Sequence, residues 1–268
     1  MSLKFTLRRL LRRLSQAGVT LPRSADGAAE TKANPGWCAC CRHETRFEET
    51  GVWLRDQYLC VRCQSIPRFR AINLILDRYF EGWERLNIHE SSPSNDFIRQ
   101  YASTYSVSYF FEGVPPGAGY KGARCENLEH LTFADNTFDL FITQDVFEHV
   151  FEPRLAIAEI MRVLKPGGAH VFTAPKHKGL KVTSRRAKLT DTGIVHLQEP
   201  QYHGNPIGDG RSLVTWDYGD DFEACLWVWC GYPTVTYVTR DRSLGLDGEY
   251  LEVFVTRKVA EPTTIAAQ

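Results

Sequence analysis

The chain has 268 residues, enough to bury one full α/β core with a small accessory module beside it. Lysine plus arginine equals aspartate plus glutamate at 32 each, so the global charge selects no partner and disfavours a nucleic-acid backbone as the main ligand. No apolar run approaches the ~18 residues that span a bilayer. The basic start, MSLKFTLRRLLRRLSQAG, interrupts its leucines with arginines and lacks the core of a secretory signal, so a cytoplasmic protein is expected.

Residues 3–17 set Leu3, Leu7, Leu10, Leu11 and Leu14 at helical spacing, with Arg8, Arg9, Arg12 and Arg13 between them. This predicts a basic amphipathic helix packed on its own domain or on a dimer mate, hence a homodimer through that helix as the assembly to look for. A membrane-surface or nucleic-acid-binding helix is the weaker alternative. Residues 18–35, GVTLPRSADGAAETKANP, read as a linker, which makes 1–35 a helix-and-linker segment.

Five of the eight cysteines (Cys38, Cys40, Cys41, Cys60 and Cys63) fall within residues 38–63. Cys125, Cys225 and Cys230 stand alone in apolar surroundings and read as buried small hydrophobes. Cys38-Ala-Cys40-Cys41 and Cys60-Val-Arg-Cys63 make two C-x-x-C knuckles separated by eighteen residues, the spacing of a four-cysteine zinc site. Cys38, Cys41, Cys60 and Cys63 are the expected ligands. A C-x-C knuckle through Cys40, or His43 in place of one thiolate, are the minor alternatives. Four thiolates close the coordination sphere, so this zinc is expected to be structural, and it would supply much of the folding free energy of a ribbon at 36–67.

PRFRAINLILDRYFEGW spaces Phe69, Ile72, Ile75, Leu76, Tyr79 and Phe80 on one helix face. From residue 86, strand-like and helix-like stretches alternate, with strands at 86–90, 106–112, 123–128, 138–144 and 169–175 and helices near 95–103 and 153–164. A segment without clear periodicity, 176–215, precedes a helix near 217–230. Two β-rich runs, TVTYVTRDRS and EYLEVFVTRK, are expected to pair as a hairpin across LGLDG. The predicted class is α/β: a Rossmann-like, doubly wound, mostly parallel seven-stranded sheet over 68–258, with an antiparallel C-terminal hairpin, preceded by the small zinc ribbon. The tail 259–268 reads as disordered.

Ligands of open α/β sheets bind beyond the carboxyl ends of the strands, where strand order reverses. In LNIHESSPSND a strand stops at Glu90 and turns through Ser91, Ser92, Pro93 and Ser94 with no glycine, while Phe138, Leu140 and Ile142 lead to Gln144 and Asp145. Serine can replace glycine in such a turn if positive φ is avoided. Lys165-Pro166-Gly167-Gly168 reads as a structural turn from helix to strand.

LTFADNTFDLFITQDVFEHVFEP followed by RLAIAEIMRVLKPGGAHVFTAPK resembles the middle of class I S-adenosylmethionine-dependent methyltransferases, which tend to read LPFPDNSFDLVxxxxVLEHV and then ExxRVLKPGGxLxxTxP. The match covers roughly residues 123–176. The double knuckle, SIPRFRAINLIL and PQYHGNPIGDGRSLVTWDYGDDF are similar to a bacterial subgroup with a zinc ribbon ahead of that domain. The resemblance implies an S-adenosylmethionine cofactor and assigns it residues. Glu90 would hold the cofactor ammonium, with Ser91 and Ser92 adding hydroxyl or backbone hydrogen bonds. Glu112 would accept from the ribose. Asn127 would meet the adenine, with Leu128 or Glu126 as alternatives. Gln144, Asp145 and His149 would face the transfer centre.

A connection as long as 176–215 is usually functional. His196, Glu199, Tyr202, His203, Asn205, Trp216 and Tyr218 are its substrate-side candidates, with His196 or His203 as general base and Tyr202 or Trp216 as an aromatic face for the sulfonium. The expected reaction is in-line methyl transfer to a small molecule or biosynthetic intermediate. The alternatives are intramolecular cyclisation or elimination at the sulfonium, releasing methylthioadenosine, or a zinc-stabilised interaction protein with a degenerate pocket.

Overall fold

The computed structural model describes residues 32–204 and 210–259. The basic helix, most of the linker, Asn205 and the tail beyond Val259 lie outside the described residues.

The cysteine module is a three-stranded antiparallel sheet in the order β1 (Ala33–Cys38), β2 (His43–Glu49) and β3 (Tyr58–Cys60), with a single helical turn, α1 (Leu54–Gln57), before β3. Its own buried cluster is small: Cys38, Cys40, Phe47, Tyr58 and Cys60. Helix α2 (Pro67–Tyr79) follows, with proline at its first turn where no amide partner is lost.

The main sheet begins with β4 (Asn87–Ser91) at its centre. Then come β5 (Thr104–Tyr109), the short hairpin β6 (Gly119–Tyr120) and β7 (Ala123–Cys125), and β8 (Phe138–Gln144). Helix α3 (Pro153–Val163) leads into β9 (Leu164–Thr173). Three antiparallel ribbons fill the long connection: β10 (Ser184–Arg185) with β15 (Trp216–Asp217), β11 (Ala187–Thr190) with β12 (Gly193–His196), and β13 (Tyr202–Gly204) with β14 (Arg211–Leu213). Helix α4 (Phe222–Cys230) and strands β16 (Thr234–Tyr237) and β17 (Val253–Arg257) complete the domain.

The strand order is β16-β17-β9-β8-β4-β5-β7-β6, parallel from β9 to β7 and antiparallel at both edges. Alternation along β8 splits the core: Leu140 and Ile142 join Ile72, Ile75, Trp83 and Val255 on one face, while Phe141 joins Ile157, Ile160, Phe172 and Phe254 on the other. This is a Rossmann-like, doubly wound sheet, as expected, with eight strands rather than seven. The extra strand is the two-residue edge β6, too short to show alternation in sequence.

Four expectations need correction. The helix near 95–103 is a series of turns in which only Ile98 is fully buried. Gln100 Nε2 and Tyr101 Oη are drawn instead to the carbonyl of Cys40, at 2.8 and 3.1 Å. The last two strands do pair antiparallel, but the link between them runs over residues 238–252 rather than LGLDG alone. That link docks on the cysteine module, where Asn34 Nδ2 donates to Arg242 O at 2.6 Å and the buried Arg70 donates to Gly245 O at 2.7 Å. Helix α4 starts at Phe222, five residues later than read from sequence. The KPGG segment is a bulge at the start of β9: Leu164 to Ala169 spans the same ladder as Phe138 to Leu140, and Gly167 takes φ +82° there.

Candidate functional site

The chain runs from β4 outward through β5 to β7, then returns to place β8 on the other side of β4. The reversal puts the carboxyl ends of β4 and β8 side by side, in register at Glu90–Ile142 and Ser91–Thr143. Glu90 lies there, 1% exposed. Its Oε2 accepts from Tyr105 Oη at 2.6 Å and its Oε1 from Gln144 Nε2 at 2.6 Å. Burial pushes its pKa up to about 7, against the pull of those two donors, and no cation among the described residues bonds it. Gln144 Oε1 is buried without a hydrogen-bond partner among the described residues.

The turn after Glu90 departs from the sequence expectation. Ser92 takes φ +54°, the left-handed region that serine was expected to avoid, and its amide is clamped to Ser108 O at 2.8 Å. Asp145, at the end of β8, is likewise left-handed at φ +51°. Two strained non-glycine residues thus border the same crevice, and such strain clusters at functional sites. Asp145 accepts from both Arg55, on α1, and Arg68, on α2, and from Thr173 Oγ1 at 2.7 Å. Burial opposes its ionisation, yet the two guanidiniums and the hydroxyl hold its carboxyl well below the usual range. The cysteine module and α2 therefore reach the rim of the crevice, which the sequence did not reveal.

The other expected cofactor contacts divide. Glu112 is exposed in a turn beyond β5, a solvated carboxylate with no hydrogen bond among the described residues. Asn127 spends its Oδ1 on its own turn, accepting from Glu129 N at 2.9 Å, and Leu128 is core. Glu126 is fully engaged by Arg124 and by the amide and hydroxyl of Thr132. Ser91 is buried inside β4.

Of the residues expected at the transfer centre and on the substrate side, His149 and His203 are brought together. Their ring centroids stand 5.2 Å apart, edge to face, and both rings approach the buried Glu148. His196 is exposed at the end of β12, opposite Ala187. Glu199 is exposed, and Tyr202 has Arg211 over its ring at 4.0 Å. Trp216 packs on Trp229 and Arg185, and Tyr218 is a core residue whose hydroxyl donates to Phe147 O at 2.7 Å. The last two are corrections: both rings are occupied by structural contacts. Sequence reasoning also passed over Tyr105 and Glu148. The signal for Glu148 is a carboxylate enclosed by apolar neighbours in VFEHVF.

In the cysteine module the sulfur atoms of Cys38, Cys41, Cys60 and Cys63 lie within 4.8 Å of one another. Cys40 is turned away into the core, receiving Asn73 Nδ2 at 3.6 Å. The four converging thiols have the number and chemistry of a tetrahedral site, and His43 is not among them.

Sheet order and crevice together give the main domain a Rossmann-like, doubly wound fold with a switch point between β4 and β8. The family described as methyltransferase domain matches residues 103–172. An uncharacterized methyltransferase of Schizosaccharomyces pombe is 32% identical over 95 residues, 35% of this chain and 33% of that protein. The ubiquinone biosynthesis O-methyltransferase of Parvibaculum lavamentivorans is 34% identical over 88 residues, 33% of this chain and 32% of that protein. The chain thus spans about a third of the length of the curated relatives it matches. A solved S-adenosylmethionine-dependent methyltransferase of Mesorhizobium loti covers 70% of this chain and is itself covered over 97%, at 14% identity and a TM-score of 0.45. Among the described residues, no helix is long and apolar enough to cross a membrane.

Proposed function

We propose that the protein transfers a methyl group from S-adenosylmethionine to a small molecule or biosynthetic intermediate. Glu90 carries this reading. A carboxylate buried at the switch point without a cation is costly, and it complements a ligand bearing an ammonium and a sulfonium. Each Glu90 oxygen accepts one hydrogen bond and has lone pairs to spare, so the residues present fit the group. Gln144 Oε1 is a further acceptor on the same wall. Bound there, the cofactor would supply an electrophilic methyl on sulfur, and the chain would align it with the acceptor, an effect able to contribute several kcal/mol. His149 and His203 are the imidazoles on the acceptor side. O-methylation, the chemistry named for the Parvibaculum relative, is the reaction type to try first.

The proposed zinc ligands are Cys38, Cys41, Cys60 and Cys63, in a structural role supported by the small apolar nucleus of the module.

Calorimetric titration with S-adenosylmethionine and S-adenosylhomocysteine tests the reading. Both should bind, and Glu90→Gln should weaken each at least tenfold, about 1.4 kcal/mol. Failure of the unaltered chain to bind either nucleoside ends this proposal. Methylthioadenosine as the product, in place of adenosylhomocysteine, would keep the cofactor and replace the chemistry.

A further inference from the structure

Glu148 is 2% exposed, and neither carboxylate oxygen has a hydrogen-bond partner among the described residues. Its backbone is held firmly: Thr215 donates to Glu148 O from its amide at 2.8 Å and from its hydroxyl at 3.0 Å. An ionised carboxylate in such a place costs several kcal/mol unless a cation is paired with it. Arg55 feels its charge but does not bond it.

Two imidazoles face the same oxygen. His149 Nε2 and His203 Nδ1 each lie 3.8 Å from Glu148 Oε1, too far for hydrogen bonds. His149 Nδ1 is 2.8 Å from Leu213 O. A carbonyl only accepts, so Nδ1 donates to it, and in the neutral ring Nε2 is then the nitrogen with the lone pair, on the side of Glu148. A backbone carbonyl that fixes the tautomer in this way is a recurrent support of metal-binding histidines. Donors sharing one ion at bonds of about 2.1 Å stand roughly 3.0–3.4 Å apart, and the three ligand atoms here lie within 4.8 Å of one another, so side-chain shifts of about an ångström or less would seat one.

We infer that Glu148, His149 and His203 form a binding site for one divalent transition-metal cation. It is separate from the four-cysteine cluster and of the opposite chemistry. One carboxylate and two imidazoles suit manganese, iron, cobalt, nickel or zinc, and three protein donors leave positions for water or an acceptor oxygen. The two histidines then act as ligands, and an acceptor hydroxyl bound to the ion would be acidified by it and would release its proton to solvent water rather than to imidazole. The site does not depend on methyl transfer.

The test uses the zinc-loaded full chain, whose thiolates are already committed, titrated with Mn2+ and followed by the electron paramagnetic resonance signal of the free ion. One Mn2+ per chain should be taken up, with binding at least tenfold weaker in Glu148→Gln and in His203→Gln. Glu148→Gln removes a buried charge and His203→Gln lies on a ribbon edge, so both should fold; thermal melts check this. No uptake by the unaltered chain, or equal uptake by both variants, overturns the inference.

Discussion

Glu90 places function and stability in opposition. An ordinary glutamate loses its proton near pH 4.5, whereas Glu90 in the folded chain holds it to about pH 7. Between those values the unfolded chain releases a proton that the native chain keeps, so stability falls as pH rises and the full cost is present above pH 7. The shift corresponds to about 3 kcal/mol. Glu90→Gln should therefore raise the melting temperature at pH 8 and leave it nearly unchanged at pH 4. Gln144 can turn its amide to meet the new side chain. A variant less stable at pH 8 would show that the carboxylate already has a cationic partner. Ser92 is the second residue to probe: a left-handed serine costs roughly 1–2 kcal/mol that glycine avoids, so Ser92→Gly should stabilise the fold.

At the scale of elements, the cysteine module and the sheet domain are joined by buried polar contacts as well as by the packing of Phe69 and Phe97 on the module's small core. Asp145 binds Arg55 and Arg68 at one end, and Arg70 binds Tyr58 O and Gly245 O at the other. Asp145→Asn should cost about 3–5 kcal/mol at neutral pH, because it leaves two guanidiniums buried without their anion. The native contribution of Asp145 is complete above the ordinary aspartate range and is lost only as pH falls below it. Chemical denaturation at pH 7 and pH 3 reads both points. If the four thiols hold the proposed zinc, a chelator should unfold β1 to β3 first, seen as rapid amide exchange there, with the order of the main sheet retained. Unchanged exchange in the stripped protein would mean that the module stands without metal.

For the whole molecule, three buried groups set the acid response. His89, packed among Phe133, Phe138 and Phe141, and His170, stacked on Phe172 with ring centroids 4.2 Å apart, are both pushed down to about 3. Burial is the main cause for each, with Arg124 adding to it at His89. Between pH 5 and 6 the unfolded chain binds two protons at these histidines, while the native chain binds one at Glu90. The balance is about one proton, so these groups make stability rise by ~1.4 kcal/mol per pH unit. His170→Phe removes one histidine proton and keeps the aromatic stack, so this part of the slope should vanish. Denaturant titrations at pH 5.0, 5.5 and 6.0 measure it.

What was legible in the chain was periodic or local. The alternation of β8 and the helical spacing of α2 and α3 follow from patterns within single segments, and the succession of strand-like and helix-like stretches predicts a mostly parallel sheet. The knuckle spacing likewise singled out the four cysteines that converge. The edge strand β6 and the turns at 95–103 were not legible, since one is too short to have a period and the other is shaped by contacts with Cys40. The serine-lined turn was found from sequence, but its left-handed backbone is imposed by the Ser108 clamp.

The sequence by itself determined the class of fold, the four clustered thiols and Glu90 at a strand end, because each is written within one contiguous stretch. Only the tertiary structure decided that Asp145 anchors the cysteine module and that Glu148 and His149 meet His203, fifty-four residues further along the chain from His149. Such encounters depend on how β8, α2 and the ribbons pack, and long-range packing leaves no period in the segments it joins.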